Sequence, residues 1–138
     1  EWNRSPVAEE GNSLGTLFPL KQFSGFGTTK ITPTDFSPLL GRVKGSDEET
    51  LRDKVRKIAP KVPGVYGMLD RTGQLIYVGK AKLLRARLLS YFRKNSRDPK
   101  AGRILEPTRY LVWESTPDEF SALVRELELI HLHRPKFN

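Results

Sequence analysis

The chain has 138 residues, no cysteine and a formal net charge of +8. That length suits one compact domain with an extension and is too short for two large domains. Disulfides and thiolate zinc sites are excluded, and no apolar run approaches the roughly 18 residues of a membrane span. The start, Glu1-Trp2-Asn3-Arg4, shows neither Met nor a signal pattern; it reads as a trimmed or processed start, in a protein expected in a reducing, cytoplasmic setting. Charge is uneven: residues 1–60 carry nine Lys/Arg against eight Asp/Glu, whereas residues 61–138 carry fifteen against eight. The window 80–103 holds nine basic residues and a single acid, Asp98. Such a field draws polyanions and supplies phosphate contacts; a merely solvated basic helix has the same composition.

Residues 1–45 are rich in Gly, Pro, Ser and Thr and hold no period of 2 or 3.6. They read as an irregular arm, whose Phe18, Phe23, Phe26 and Phe36 suit docking on the core better than disorder. A helix is expected over 46–58, with Ser46 as cap, Glu49 completing a capping box, and Leu51, Val55 and Ile58 as its apolar face. Pro60 stops it, so 46–61 reads as a capped helix and linker before a domain over 62–138.

A hairpin follows: an extended run over 65–69, a turn over 70–73 ending in Gly73, and a return strand over 75–78. Gly79 releases the chain into a helix over 81–92, with Leu84, Leu88 and Phe92 at helical spacing. The polar stretch 94–103 reads as a loop and 108–113 as a third strand. In the last helix Thr116 stands at the cap, Pro117 first and Glu119 third, with Phe120, Leu123, Leu127 and Ile130 as the buried stripe. The result is a small α/β (α+β) domain, a mainly antiparallel three-stranded sheet flanked by helices.

On the helix after the hairpin, Lys80, Arg87 and Tyr91, spaced by seven and four, fall on one face. Two cations and a phenol beside Tyr77 suit phosphoryl transfer, where positive charge stabilises the phosphate oxygens; a basic face with a half-buried Tyr fits the same spacing. On the last helix Glu119 caps, Glu128 points to solvent, and Glu126 lies at the edge of the apolar stripe. Glu126 is the candidate ligand for a hard cation such as Mg²⁺, which takes one or two carboxylates and water; a boundary Glu paired with a base is the alternative. His131 and His133 at i, i+2 share no face and read as polar residues of the helix end.

Pro63-Gly64-Val65-Tyr66, followed after a ten-residue gap by Tyr77-Val78-Gly79-Lys80-Ala81-Lys82, resembles the signature of the GIY-YIG nucleases, in particular the N-terminal nuclease domain of the UvrC and Cho excision-repair proteins. The likeness continues through Arg87, Ser90-Tyr91-Phe92, Glu126 and the ending Arg134-Pro135-Lys136-Phe137-Asn138. It implies a GIY-YIG fold and an endonuclease that hydrolyses one DNA strand, at the nucleoid, with one Mg²⁺ or Mn²⁺ held by Glu126. In that resemblance Tyr66 takes the proton from the attacking water, aided by positive charge from Lys80 and the metal. Tyr77 and Arg87 hold the scissile phosphate, and Tyr91 is a further active-site tyrosine. Gly79 allows close backbone approach, and Asn138 ties the last segment to the site. DNA is the implied partner, met by Lys80, Lys82, Arg85, Arg87, Arg93, Lys94 and Arg97, with a repair protein as a second partner. The alternative is a non-cleaving DNA-binding or targeting module that needs a partner. The pattern departs at Val65 and Val78, which stand for Ile, at Leu83, which replaces a polar residue, and at His131-Leu132-His133, which replaces a basic and aromatic run.

Overall fold

The computed structural model describes residues 23, 25–27, 35–93 and 98–138. In chain order the elements are β1 (Leu40–Lys44), α1 (Glu48–Ile58), β2 (Gly64–Asp70), β3 (Leu75–Ala81), α2 (Leu84–Ser90), α3 (Pro99–Leu105), β4 (Thr108–Ser115) and α4 (Glu119–His133). The strands form one sheet in the order β1-β4-β2-β3, every pair antiparallel. The expected three strands are therefore extended by a fourth, β1, from the segment read as irregular. Its five residues carry one buried side chain, Val43, too few for a period to show. Arg42 and Lys44 cover the Tyr110 ring, at 4.7 and 5.6 Å from its centroid, and charged side chains of this kind also discourage pairing at the sheet's open edge.

Side chains alternate across the two faces of β2. Tyr66 and Met68 join a core built with Leu51 and Val55 of α1, Leu84 and Leu88 of α2, and Ile104 and Leu105 of α3. Val65 and Leu69 face the other way, onto Ala122 and Leu129 of α4 and onto Phe26. The extension thus supplies both a strand and an aromatic plug, with Phe23 and Phe26 docked edge to face at 5.0 Å. Phe36 is partly buried, and Phe18 lies outside the described residues.

The hairpin turn is held by Asp70, whose Oδ1 accepts from the Thr72 and Gln74 amides at 2.9 and 3.1 Å, while Gly73 takes φ +86°. That left-handed conformation suits glycine because no Cβ is present to clash. Just beyond, the β2–β3 register shifts: Met68 pairs Tyr77 but Leu69 pairs Leu75. Ile76 is the extra residue of a bulge, and such an insertion re-aims side chains. Ile76 and Tyr77 both turn to the Tyr66 side of the sheet.

Several local expectations are corrected. Asp47, not Ser46, caps α1, its Oδ1 accepting from the Thr50 amide at 2.8 Å. Ala59, rather than the exposed Ile58, completes that helix's buried face. Asp118, not Thr116, caps α4, accepting from the Ser121 amide at 2.7 Å. In both cases the aspartate nearer the helix offers its carboxylate to the free amides of the first turn. The stretch read as a loop contains α3, capped by Asp98 with Pro99 in its first turn. Lys80 belongs to β3, since the helix begins only at Leu84.

The largest correction concerns α4. Its buried residues are Ala122, Arg125 and Leu129. Phe120, Leu123 and Leu127, expected inside, are 72%, 37% and 57% exposed. This yields a direct test. Leu129→Ala removes a side chain with no exposed surface and should cost roughly 3 kcal/mol in chemical denaturation. Leu127→Ala should stay within about 0.5 kcal/mol of the parent. Equal losses would mean that α4 is seated on its apolar stripe instead.

Candidate active site

The site forms where β2, the bulged end of β3 and α2 converge. Tyr66 is paired across the strands with Gly79. A Cβ built on Gly79 would fall onto the Tyr66 phenol, against both its ring and its oxygen. Glycine is required there because the ring occupies the space a side chain would need. The Tyr66 ring, itself fully buried, is thereby laid along the sheet toward α2.

Arg87 of α2 and Tyr91, the residue that caps the end of α2, meet it. The Tyr66 and Tyr91 hydroxyls are 2.5 Å apart, and Arg87 Nε donates to the Tyr66 oxygen at 3.3 Å. Arg87 Nη2 donates to the Tyr91 oxygen at 3.5 Å, with the guanidinium carbon 5.0 Å from the centre of that ring. Tyr77 stands 6.3 Å from Tyr66, ring centre to ring centre. Burial pushes Tyr66 up to about 12, although the Tyr91 hydrogen bond and the Arg87 charge pull it down. Burial also raises Tyr77 and Tyr91, again opposed by Arg87. All three phenols are therefore protonated at neutral pH until further positive charge arrives.

Glu126 belongs to α4, which packs on the far side of the sheet, and its charge is felt at Tyr77. Burial raises its carboxyl, while the charges of Lys80 and Arg87 and a hydrogen bond from the Lys80 backbone oppose the rise. Both expected cations act on Glu126, and Arg87 also contacts the phenols, while Lys80 is exposed. Among the described residues no three His, Cys, Asp or Glu side chains are grouped to hold a metal ion. A single half-buried carboxylate within the field of Lys80 and Arg87 fits a hard ion that keeps most of its water. It does not fit an ion needing a full protein cage.

The chain's end is fastened to the same strand. Arg134 ends α4 in the left-handed conformation, φ 46° and ψ 60°, a position where glycine is the usual residue. The turn brings the Phe137 amide onto Ile76 O at 3.0 Å. Asn138 then pairs with Val78 in both directions, each bond 2.8 Å. A side-chain amide here substitutes for a neighbouring strand and satisfies the free edge of β3 beside Tyr77.

The expected phosphate-contacting residues separate in the structure. Lys80, Lys82 and Arg93 are exposed, and Lys82 lies 3.9 Å from Glu119, at the start of α4. Arg85 is partly buried, its Nε donating to Ala59 O at 2.6 Å, so it joins α2 to the end of α1. Lys94 and Arg97 fall outside the described residues. Lys100, not singled out from the sequence beyond its place in the basic window, has its Nζ 5.5 Å from the centre of the Tyr77 ring. Only the hidden helix α3 could have revealed it.

This fold and constellation define a GIY-YIG domain. Residues 62–138 match the UvrC-like GIY-YIG domain family, and the chain belongs to that family. It is 45% identical over 75 residues to UvrABC system protein C of Francisella tularensis subsp. holarctica, a stretch covering 54% of this chain and 12% of that protein. The protein of the same name from subsp. novicida matches to the same extent. The chain thus matches about 12% of the length of these curated relatives. Its structure is similar to the GIY-YIG N-terminal endonuclease domain of UvrC from Thermotoga maritima bound to its catalytic divalent cation, magnesium. There the TM-score is 0.59 and the identity 39%, covering 67% of this chain and 99% of that one. An asparagine-to-alanine point mutant of that domain, also bound to its catalytic divalent cation, gives a TM-score of 0.59 at 38% identity, covering 67% and 98%.

Gly79→Ala tests the architecture of the cluster. Forcing a methyl against the Tyr66 phenol should destabilise the fold by roughly 1–3 kcal/mol. It should also let Tyr66 ionise at lower pH, seen as phenolate absorbance appearing earlier in an alkaline titration of the metal-free protein. An unchanged titration would show that Gly79 does not set the Tyr66 position.

Proposed function

We propose that the domain is a divalent-metal-dependent endonuclease that hydrolyses a phosphodiester bond in one strand of DNA. The observation that carries this reading is the convergence of Arg87, Tyr66, Tyr91 and Tyr77 from one face of the sheet with Glu126 from the other. Glu126 would hold one Mg²⁺, with Mn²⁺ as a substitute; the ion supplies Lewis acidity at a phosphate oxygen. The exposed cations Lys80, Lys82, Arg93 and Lys100 bind the backbone of the strand, together with Lys94 and Arg97. Arg87 stabilises charge building on the scissile phosphate and Tyr77 orients it. Tyr66 accepts the proton of the attacking water. Its ionised form is favoured by the hydrogen bonds from Arg87 and Tyr91 that already converge on its oxygen. Asn138 keeps β3, and with it Tyr77, in place.

The kinship with UvrABC system protein C favours a role in excision repair, in the cytoplasm at the nucleoid, beside a repair-protein partner. No described helix is long and apolar enough to cross a membrane. A non-cleaving targeting module is less well supported, since such a module has no need of two buried phenols bonded to one guanidinium beside a partly buried third.

The direct experiment is strand cleavage of labelled duplex, lesion-bearing and single-stranded DNA with Mg²⁺ or Mn²⁺. Glu126→Ala should abolish cutting while the protein remains folded, and Arg87→Ala should slow it by roughly a hundred- to a thousandfold. Folded parent protein that binds these DNAs and cuts none of them would sink the nuclease reading.

A second expectation concerns pH. Because Tyr66 is raised to about 12, its ionised fraction at neutral pH is small and grows about tenfold per pH unit. Cleavage by the parent should therefore rise steeply between about pH 7 and 9. Tyr66→Phe should be slow and lose that rise. A parent profile that stays flat over this interval would remove Tyr66 from the role of base.

A further inference from the structure

Helix α4 meets the N-terminal extension on the face of the sheet opposite the tyrosines. A helix packed on a sheet ordinarily buries its apolar stripe. Here the stripe through Phe120, Leu123 and Leu127 is exposed, and a guanidinium occupies the seat. Arg125 is 1% exposed. Its Nε and Nη2 both donate to Glu114 Oε1 at 3.2 Å, and its Nη1 donates to Glu128 Oε1 at 2.6 Å. Nη2 also donates to Phe26 O at 3.2 Å and to Gly27 O at 2.9 Å. Glu128, expected to face solvent, is thus part of a buried cluster. Burial raises the Glu114 carboxyl and Arg125 opposes the rise.

The last two acceptors belong to the extension, outside the family-matched residues 62–138. The same segment is fixed at its other end, where the Phe23 amide donates to Gly73 O at 2.9 Å. The Phe23 ring meets His133 edge-on at 5.7 Å. Phe23 is therefore fixed at the hairpin turn, and Phe26 and Gly27 at the middle of α4.

At 100° per residue, the exposed apolar stripe and the buried face of α4 are separated by roughly 160° around the helix. Hydrophobic patterning alone would favour the other rotation. Glu126 immediately follows Arg125 and points to the opposite flank, so its direction depends on which rotation is chosen. Buried charged groups can select one arrangement over competitors even where they add little stability.

We infer that Arg125 is a positioning residue through which the extension, by the carbonyls of Phe26 and Gly27, holds α4 in the rotation that presents Glu126 toward Lys80 and Arg87. This rests on the reading of Glu126 as the metal-holding carboxylate.

The test uses the full chain with Glu114→Leu and Arg125→Leu together, which removes the charges and fills their space, and Arg125→Lys as a second variant. Lysine keeps the charge, but a single ammonium cannot reach Glu114, Glu128 and both carbonyls as a guanidinium does. Thermal melts confirm folding, hydrogen exchange follows the Phe23 amide and the α4 amides, and Mn²⁺ alone is titrated onto the DNA-free protein. Both variants should expose the Phe23 amide to faster exchange. Both should weaken Mn²⁺ binding, the double variant by about tenfold or more, with the KM for DNA within about twofold of the parent.

A folded double variant that binds Mn²⁺ as the parent does overturns the inference, as does one whose Phe23 amide stays protected. If the parent itself binds no Mn²⁺, the metal reading of Glu126 falls separately. The exchange of residues 126–130 then decides: faster exchange in the variants sustains the positioning role, and unchanged exchange ends it.

Discussion

The Tyr66 side chain can lie where it does only because nothing projects from Gly79 on the neighbouring strand. That vacancy lets a phenol lie flat against the sheet, deep enough to lose all contact with solvent. It leaves the hydroxyl directed at α2. From there the geometry is compelled: an oxygen buried in this way must be hydrogen-bonded, and Tyr91 and Arg87, one turn apart, are the groups that satisfy it. The bulge at Ile76 adds Tyr77 to the same face. A chain of local requirements, each on a different element, therefore converges on one phenol.

A guanidinium is held among acceptors on either face of the sheet, Arg87 on one and Arg125 on the other. Arg87 donates to the Tyr66 and Tyr91 oxygens and remains exposed. Arg125 is enclosed, meeting two carboxylates and two backbone carbonyls. The contrast follows from chemistry. A group that must meet an incoming phosphate needs an open side, whereas one that joins structural elements is held best when its hydrogen bonds are complete. Helix α4 lies between these two environments, with Arg125 directed to one and Glu126 to the other.

The extension is therefore a working part of the folded domain. It adds β1 to the sheet, Phe26 to the second core and two carbonyls to the Arg125 cluster. Helix α1, which precedes the family-matched region, packs Leu51 and Val55 into the same core as Tyr66 and Leu88. The residues that carry the chemistry and those that support them are interleaved, and the sheet does not divide where the family likeness begins.

The sequence alone determined the hairpin, the helix after it, the third strand and the last helix, because alternation, turn residues and helical spacing are local properties that survive without knowledge of neighbours. Tyr66, Tyr77, Gly79, Arg87, Tyr91 and Glu126 were picked out there as candidates through a resemblance to a family signature, an ordered pattern along the chain. Tertiary structure decided the rest. Which aspartate caps a helix depends on where the chain turns. The strand at 40–44 exists because β4 offers it a partner, its own pattern being too short to announce it. Lys100 approaches Tyr77 only through α3, whose seven residues are set in a run of polar and charged residues. The face α4 buries was unreadable for a stronger reason: its apolar stripe pointed one way, while Arg125 found four long-range or local acceptors on the other, two of them nearly 100 residues away in the chain. Periodicity measures what a helix could bury; only the assembled neighbours determine what it does bury.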